Sequence, residues 1–136
     1  MSLLSRKGLL AITAVVDIAL HGKSRPVSAK ALAARNTLPP RHLEPVLQAL
    51  VREGILKGIR GPRGGYEIGR EWRHITAADI LRATQSLEDE DSAVPSSPLL
   101  GEVVLPAIAQ AERAFSAALA RINVEDLAER AQGRQA

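Results

Sequence analysis

The sequence predicts a mainly α-helical fold with one small β-hairpin: a winged helix-turn-helix domain followed by a long C-terminal helix. Three observations carry that prediction. Two short helical segments meet at a "TLPP" turn, and a glycine-rich stretch, "RGPRGGYEIGR" at residues 60–70, joins two strand-like runs. Further on, apolar residues recur along residues 104–122 at the spacing of a helix seam.

Taken in order, "LSRKGLLAITAVVDIALHG" reads as a first helix, with Ser5 as N-cap and Gly22 just past its end. From Leu9 to Leu20 it is apolar almost all round, the pattern of a helix covered on more than one side. "PVSAKALAARN" is a second, short helix, capped by Ser28, with Val27 able to staple to Leu32. After the turn, Leu43, Val46, Leu47, Leu50 and Val51 share one face of a third helix, with Pro40 in its first turn and Gly54 ending it.

"ILKGIR" and "GYEIG" supply Ile55, Leu56, Ile59, Tyr66 and Ile68 as strand residues, and "GPRG" between them makes the hairpin turn. "ITAADILRATQS" is another helix, opened by a capping box of Thr76 and Asp79. "LEDEDSAVPSSP" is acidic and rich in serine and proline, the composition of a linker or loop.

Val104, Ile108, Ala111, Phe115, Ala118 and Ile122 are alternately four and three residues apart, so they form a seam facing another helix, here assigned to dimerisation. A helix from about Gly101 to Ile122 would run roughly 33 Å, with Pro106 in its first turns, where it costs least. Asn123 caps a short terminal helix, "VEDLAERA". The expected organisation is a winged helix-turn-helix domain at 1–86, an acidic linker or loop at 87–100, and the dimerisation helix with its short companion at 101–136.

Composition narrows the function. The chain has 136 residues, of which 46% are apolar, yet Tyr66, Trp72 and Phe115 are its only aromatics. An aliphatic, alanine-rich core suits helices better than a sheet sandwich. No apolar run reaches the 18 residues of a membrane span, since Thr13 and Asp17 interrupt the greasiest stretch. Zero cysteines excludes disulfides, thiolate metal sites and cysteine nucleophiles, and a cytoplasmic location is the default expectation. His21, His42 and His74 are scattered without ligand spacing, and no nucleophile–base pair points to an enzyme.

Charge divides the chain. Residues 1–86 carry 14 Lys+Arg against 6 Asp+Glu, whereas residues 87–136 carry 4 against 9. Such asymmetry suggests a nucleic-acid-binding part joined to a part that does something else. The glycine loop could in principle hold a nucleotide's phosphates. A nucleotide loop, however, follows a strand and opens a helix, and neither a Gly-Lys-Ser/Thr nor a G-x-G-x-x-G occurs here. Placed between two strands after a helix-turn-helix, the loop is a wing. Arg60 and Arg63 at its tip suit a minor groove, and the bare glycine backbone allows close approach to phosphates. The alternative is a solvent-exposed hairpin whose arginines serve solubility.

"LSRKG", "PVSAKALA", "RHLEPVLQALVREGIL", "RGPRGGYEI" and "ITAADILRA" follow one another in an order that resembles the Rrf-two family of bacterial transcription regulators, across roughly residues 4–130. "AFSAALARINVEDLAERA" resembles that family's dimerisation helix and the segment after it. The resemblance implies a homodimer on a palindromic operator in double-stranded DNA, and a regulator of the repressor type.

By the same resemblance, the recognition helix presents Arg41, His42 and Glu44, and the wing is Arg60, Gly61, Pro62, Arg63, Gly64 and Gly65. Ser5, Arg6 and Lys7 match the phosphate-contacting N-terminus, and Ser28 and Lys30 the first short helix. Glu44 is suited to accept from cytosine N4, or else simply favours the helix dipole. Pro45 departs from a commoner polar residue and should loosen or kink the recognition helix.

The largest departure is in the sensor. Cluster-binding members of the family place three cysteines between the fourth helix and the long helix; here those positions fall at about Asp91, Ser96 and Glu102. A carboxylate site of Asp89, Asp91 and Glu102 is set against a solvated acidic loop, and the latter is favoured. No metal and no cofactor are expected. A small-molecule effector or a partner protein would then act at the loop, and a winged helix that binds a partner protein instead of DNA is the competing function.

Overall fold

In the computed structural model, residues 5–87, 98–99, 102–103 and 105–134 are described. The described residues form six α-helices and one hairpin: α1 (Arg6–His21), α2 (Ala29–Asn36), α3 (Pro40–Arg52), β1 (Leu56–Ile59), β2 (Gly65–Ile68), α4 (Ala77–Ala83), α5 (Leu105–Leu119) and α6 (Val124–Arg134). Short 3₁₀ turns at Trp72–His74 and Gln85–Leu87 flank α4.

α1, α2, α4 and α6 begin where side chains can satisfy their first amides, whereas α3 opens on Pro39 and Pro40 without a side-chain cap. Ser5 Oγ accepts from Gly8 N at 2.9 Å, and Ser28 Oγ from Ala31 N at 3.0 Å. Thr76 and Asp79 form the reciprocal box: Asp79 N donates to Thr76 Oγ1 and Thr76 N to Asp79 Oδ2, both at 3.1 Å. Asn123 Oδ1 accepts from Asp126 N at the start of α6.

The core lies between α1 and α3. Ala14, Val15 and Ile18 meet Leu43, Val46, Leu47 and Leu50, with Leu32, Ile55, Ile75, Ile80 and Val124 closing the cluster. Burial of this aliphatic surface is the main driving force for the fold. The hairpin register pairs Leu56 with Ile68, Lys57 with Glu67, Gly58 with Tyr66 and Ile59 with Gly65. Val27 bridges Tyr66 on the other side, so a third, one-residue strand borders β2.

Two expectations are modified. α3 runs unbroken from Pro40 to Arg52 through Pro45. Pro45 cannot donate to the Arg41 carbonyl, but Leu43, Val46 and Leu47 are fully buried on both sides of it and hold the helix. α5 ends at Leu119 rather than Ile122. Its C-terminal extension is drawn into backbone pairing with the start of α4: Ala77 N donates to Ile122 O at 2.8 Å, and Val124 N to Ile75 O at 2.9 Å. From Leu105 to Leu119 α5 runs about 22 Å at 1.5 Å per residue. Within the chain α1 packs against α3, α4, α6 and β2, while Leu9 stays 49% exposed and Ile12, Val16 and Leu20 half-buried.

Candidate nucleic-acid interface

α3 turns one stripe inward and another outward. The inward face carries Leu43, Val46, Leu47 and Leu50, so helical spacing leaves Arg41, His42, Glu44 and Gln48 exposed. Gln48 and Arg52 continue this exposed stripe; the sequence reading passed over both, although the same periodicity points to them. No acidic residue stands in the first turns of α1, α2 or α3, which leaves the positive ends of their dipoles uncompensated by carboxylates.

The wing tip is built from glycines for steric reasons. Gly61 has φ 113°, and Gly64 N donates to Gly61 O at 2.9 Å. A Cβ at Gly64 would stand 2.1 Å from the Ile59 carbonyl oxygen, so the turn closes only without a side chain there. Arg60, Pro62 and Arg63 project from it, all exposed. Among the described residues, Arg6, Lys30, Arg41, Arg60 and Arg63 make no ion pair, so their charges are free to meet an external anion.

The recognition helix and the wing adjoin. Burial raises the pKa of Tyr66 on β2 above its ordinary value, and the nearby Glu44 carboxylate raises it further. Glu44, the acidic residue of the exposed α3 stripe, thus lies close to the second strand of the hairpin, and α3 itself packs against β1.

The N-terminal residues are placed differently. Ser5 is occupied as the α1 cap, Arg6 is exposed, and Lys7 Nζ donates to the Leu87 carbonyl at 2.9 Å. Lys7 thus ties α1 to the short 3₁₀ turn that follows α4. Ser28 is likewise occupied as a cap, with Lys30 exposed beside it.

Of the seam, Ala111 and Ala118 are exposed on α5, Phe115 and Ile122 are half-buried, and Ile108 lies within the helix. Val104, Asp89, Asp91 and Ser96 fall outside the described residues. Glu102 is exposed, and no group of three potential metal ligands occurs among the described residues. No described helix is long and apolar enough to cross a membrane.

The Rrf2 (Rrf-two) family, described as iron-dependent transcriptional regulator, matches residues 4–130. The chain is 34% identical over 86 residues to the HTH-type transcriptional regulator IscR of Xenorhabdus nematophila, covering 63% of this chain and 52% of that protein. It is 36% identical over 97 residues to the HTH-type transcriptional regulator CymR of Bacillus subtilis, covering 66% and 70%. Aligned in this way, the chain spans about half the length of the IscR relatives it matches.

Among solved structures, T. potens IscR superposes with a TM-score of 0.77 at 30% identity, covering 98% of this chain and 90% of that one. CymR, the global cysteine regulator of B. subtilis, superposes with a TM-score of 0.72 at 30% identity, covering 95% and 98%. The family description implies iron, and the donor set here does not fit a thiolate-held cluster, because the chain contains no cysteine.

Proposed function

The chain belongs to the Rrf2 family of transcriptional regulators, and from that premise we propose that it is a sequence-specific DNA-binding regulator, not an enzyme, acting as a repressor. One observation carries the reading: the exposed α3 stripe of Arg41, His42 and Glu44 adjoins a glycine-built wing whose Arg60 and Arg63 have no ion-pair partner among the described residues. The α3 stripe enters a major groove, where Arg41 and His42 donate and Glu44 discriminates by accepting from cytosine N4. Carboxylates are repelled by phosphates, so Glu44 contributes selectivity more than affinity. Arg60 and Arg63 reach an adjacent minor groove, and Arg6, Lys30 and the wing glycines line the backbone.

The working unit is a homodimer on a palindromic operator in the cytoplasm. Support comes from the α5 seam, whose Ala111 and Ala118 are exposed, and from α1, whose Leu9 is uncovered. Residues 1–86 form the reading head, 87–100 a connecting loop, and 101–136 the dimer contact, with α6 also returning to the core through Val124. With no cluster, a small molecule or a partner protein acting at the connecting loop supplies the signal.

Mapping the chain's occupancy on its own genome tests this reading. A recurring inverted repeat under the occupied sites is expected. Uniform, sequence-independent occupancy would overturn it.

A further inference from the structure

Asp17 interrupts the most apolar helix of the chain and is only 7% exposed. Its carboxylate is held by the end of α2, with the His21 ring of its own helix 3.7 Å from Oδ1. Arg35 Nε donates to Oδ2 at 3.0 Å and Arg35 Nη2 to Oδ1 at 2.8 Å, a bidentate pair. Asn36 Nδ2 donates to Oδ2 at 2.9 Å, and also to the Leu32 carbonyl one turn back in α2 at 2.9 Å. The hydrogen bond to Asp17 holds the Arg35 pKa above its ordinary value.

With Arg35 37% exposed, the pair is open to solvent on one side, and ion pairs of that kind contribute little net stability. What directional hydrogen bonds add is a defined placement, which apolar packing alone does not enforce. Beyond Asn36 the chain has little freedom to absorb a shift. Thr37 is left-handed (φ 52°, ψ 52°), Leu38 N is bonded to Ala33 O at 2.9 Å, and Pro39 and Pro40 have ring-fixed φ. Arg41 follows directly. The end of α2 is therefore stiffly linked to the first turn of α3.

We propose that Asp17 is a positioning residue for base recognition: by clamping Arg35 and Asn36 from α1, it sets where the α3 side chains Arg41, His42 and Glu44 meet the DNA. The inference rests on the DNA-binding reading above.

The test begins by selecting a duplex from a random library with the unaltered full chain. That duplex and a scrambled version of it are then bound, at one fixed ionic strength, by Asp17→Asn and Asn36→Ala. Asparagine keeps the size of the carboxylate but removes its charge and one acceptor. Asp17→Asn should weaken binding to the selected duplex about tenfold, the scale of one misaligned base contact, and change binding to the scrambled duplex by less than about twofold. Asn36→Ala spares the Arg35 pair and should lower the same ratio by a smaller factor; it decides the matter if Asp17→Asn does not fold. A purely stabilising role for Asp17 would leave that ratio unmoved in both folded variants, and this result would overturn the inference. If the unaltered chain enriches no sequence, the DNA-binding reading itself fails, and the inference with it.

Discussion

Val27 and Tyr66 exchange both backbone hydrogen bonds, Val27 N to Tyr66 O at 2.9 Å and Tyr66 N to Val27 O at 2.8 Å. This pairing laces the second strand of the wing to the segment that opens α2, one residue before its cap, Ser28. The wing is thereby a third arm of the helix-turn-helix, with its orientation fixed from two sides.

Gly65 permits that pairing. Its φ is 156°, and a Cβ there would lie 2.4 Å from the Val27 carbonyl oxygen. Gly65→Ala should cost about 1–3 kcal/mol of stability, as overpacking does, and should weaken DNA binding through a displaced wing. Denaturant midpoints and binding isotherms of the variant check both effects; a fully stable variant would mean that the strand shifts freely.

Arg60 and Arg63 separate two modes of contact. Alanine at either should cost about 1–3 kcal/mol on the cognate duplex if the guanidinium reaches a base edge. A phosphate contact would instead weaken all duplexes alike and reduce the salt slope by about one. Fluorescence anisotropy across a salt series distinguishes the two, and an unchanged double variant removes the wing from the interface.

The dimer seam can be probed without touching the core, because Ala111 and Ala118 are exposed on α5. Truncating the chain before α5 would also remove α6, whose Val124 and Ala128 are buried. Ala111→Glu with Ala118→Glu should retain helical circular dichroism but sediment as a monomer. Its operator affinity should fall because two half-sites are no longer linked. A double variant that still sediments as a dimer places the contact elsewhere.

The α4 capping box makes a stability prediction. Thr76→Ala should cost about 1 kcal/mol, the loss of one N-cap bond, and lower Tm by a few degrees. Burial alone would push the Asp79 carboxyl up, but hydrogen bonds from Arg82 and Thr76, with Arg70 nearby, hold it below the ordinary carboxylate value. A pKa lower in the folded than in the unfolded state gives stability that is complete above about pH 4 and is lost as pH falls through the folded value. Asp79→Asn should flatten that acid limb in urea titrations between pH 2 and pH 5, within the range set by carboxylates.

Anaerobic incubation with iron and sulfide should leave the protein colourless. Clusters are held chiefly by cysteine thiolates, and this chain has none to offer. Visible absorbance and metal analysis give the readout; a stoichiometric cluster that altered DNA affinity would show that other donors suffice.

What the sequence determined alone was local. Ser5, Ser28, Asn123 and the Thr76–Asp79 box each lie within three residues of the amide they cap, so the caps were legible in the letters themselves. The inward face of α3 and the glycine turn of the wing were equally readable, since periodicity and the steric needs of a tight turn are short-range properties. Contacts between distant residues leave no such trace, and only the tertiary structure decided them. Asp17 reads in sequence as a mere interruption of an apolar run, yet its partners are Arg35 and Asn36 on another helix. The seam periodicity continues through Ile122, but α5 stops at Leu119 because Ile122 and Val124 pair with Ala77 and Ile75 across the fold. Local pattern states what a helix is able to do; competition for backbone partners elsewhere in the chain decides where it ends.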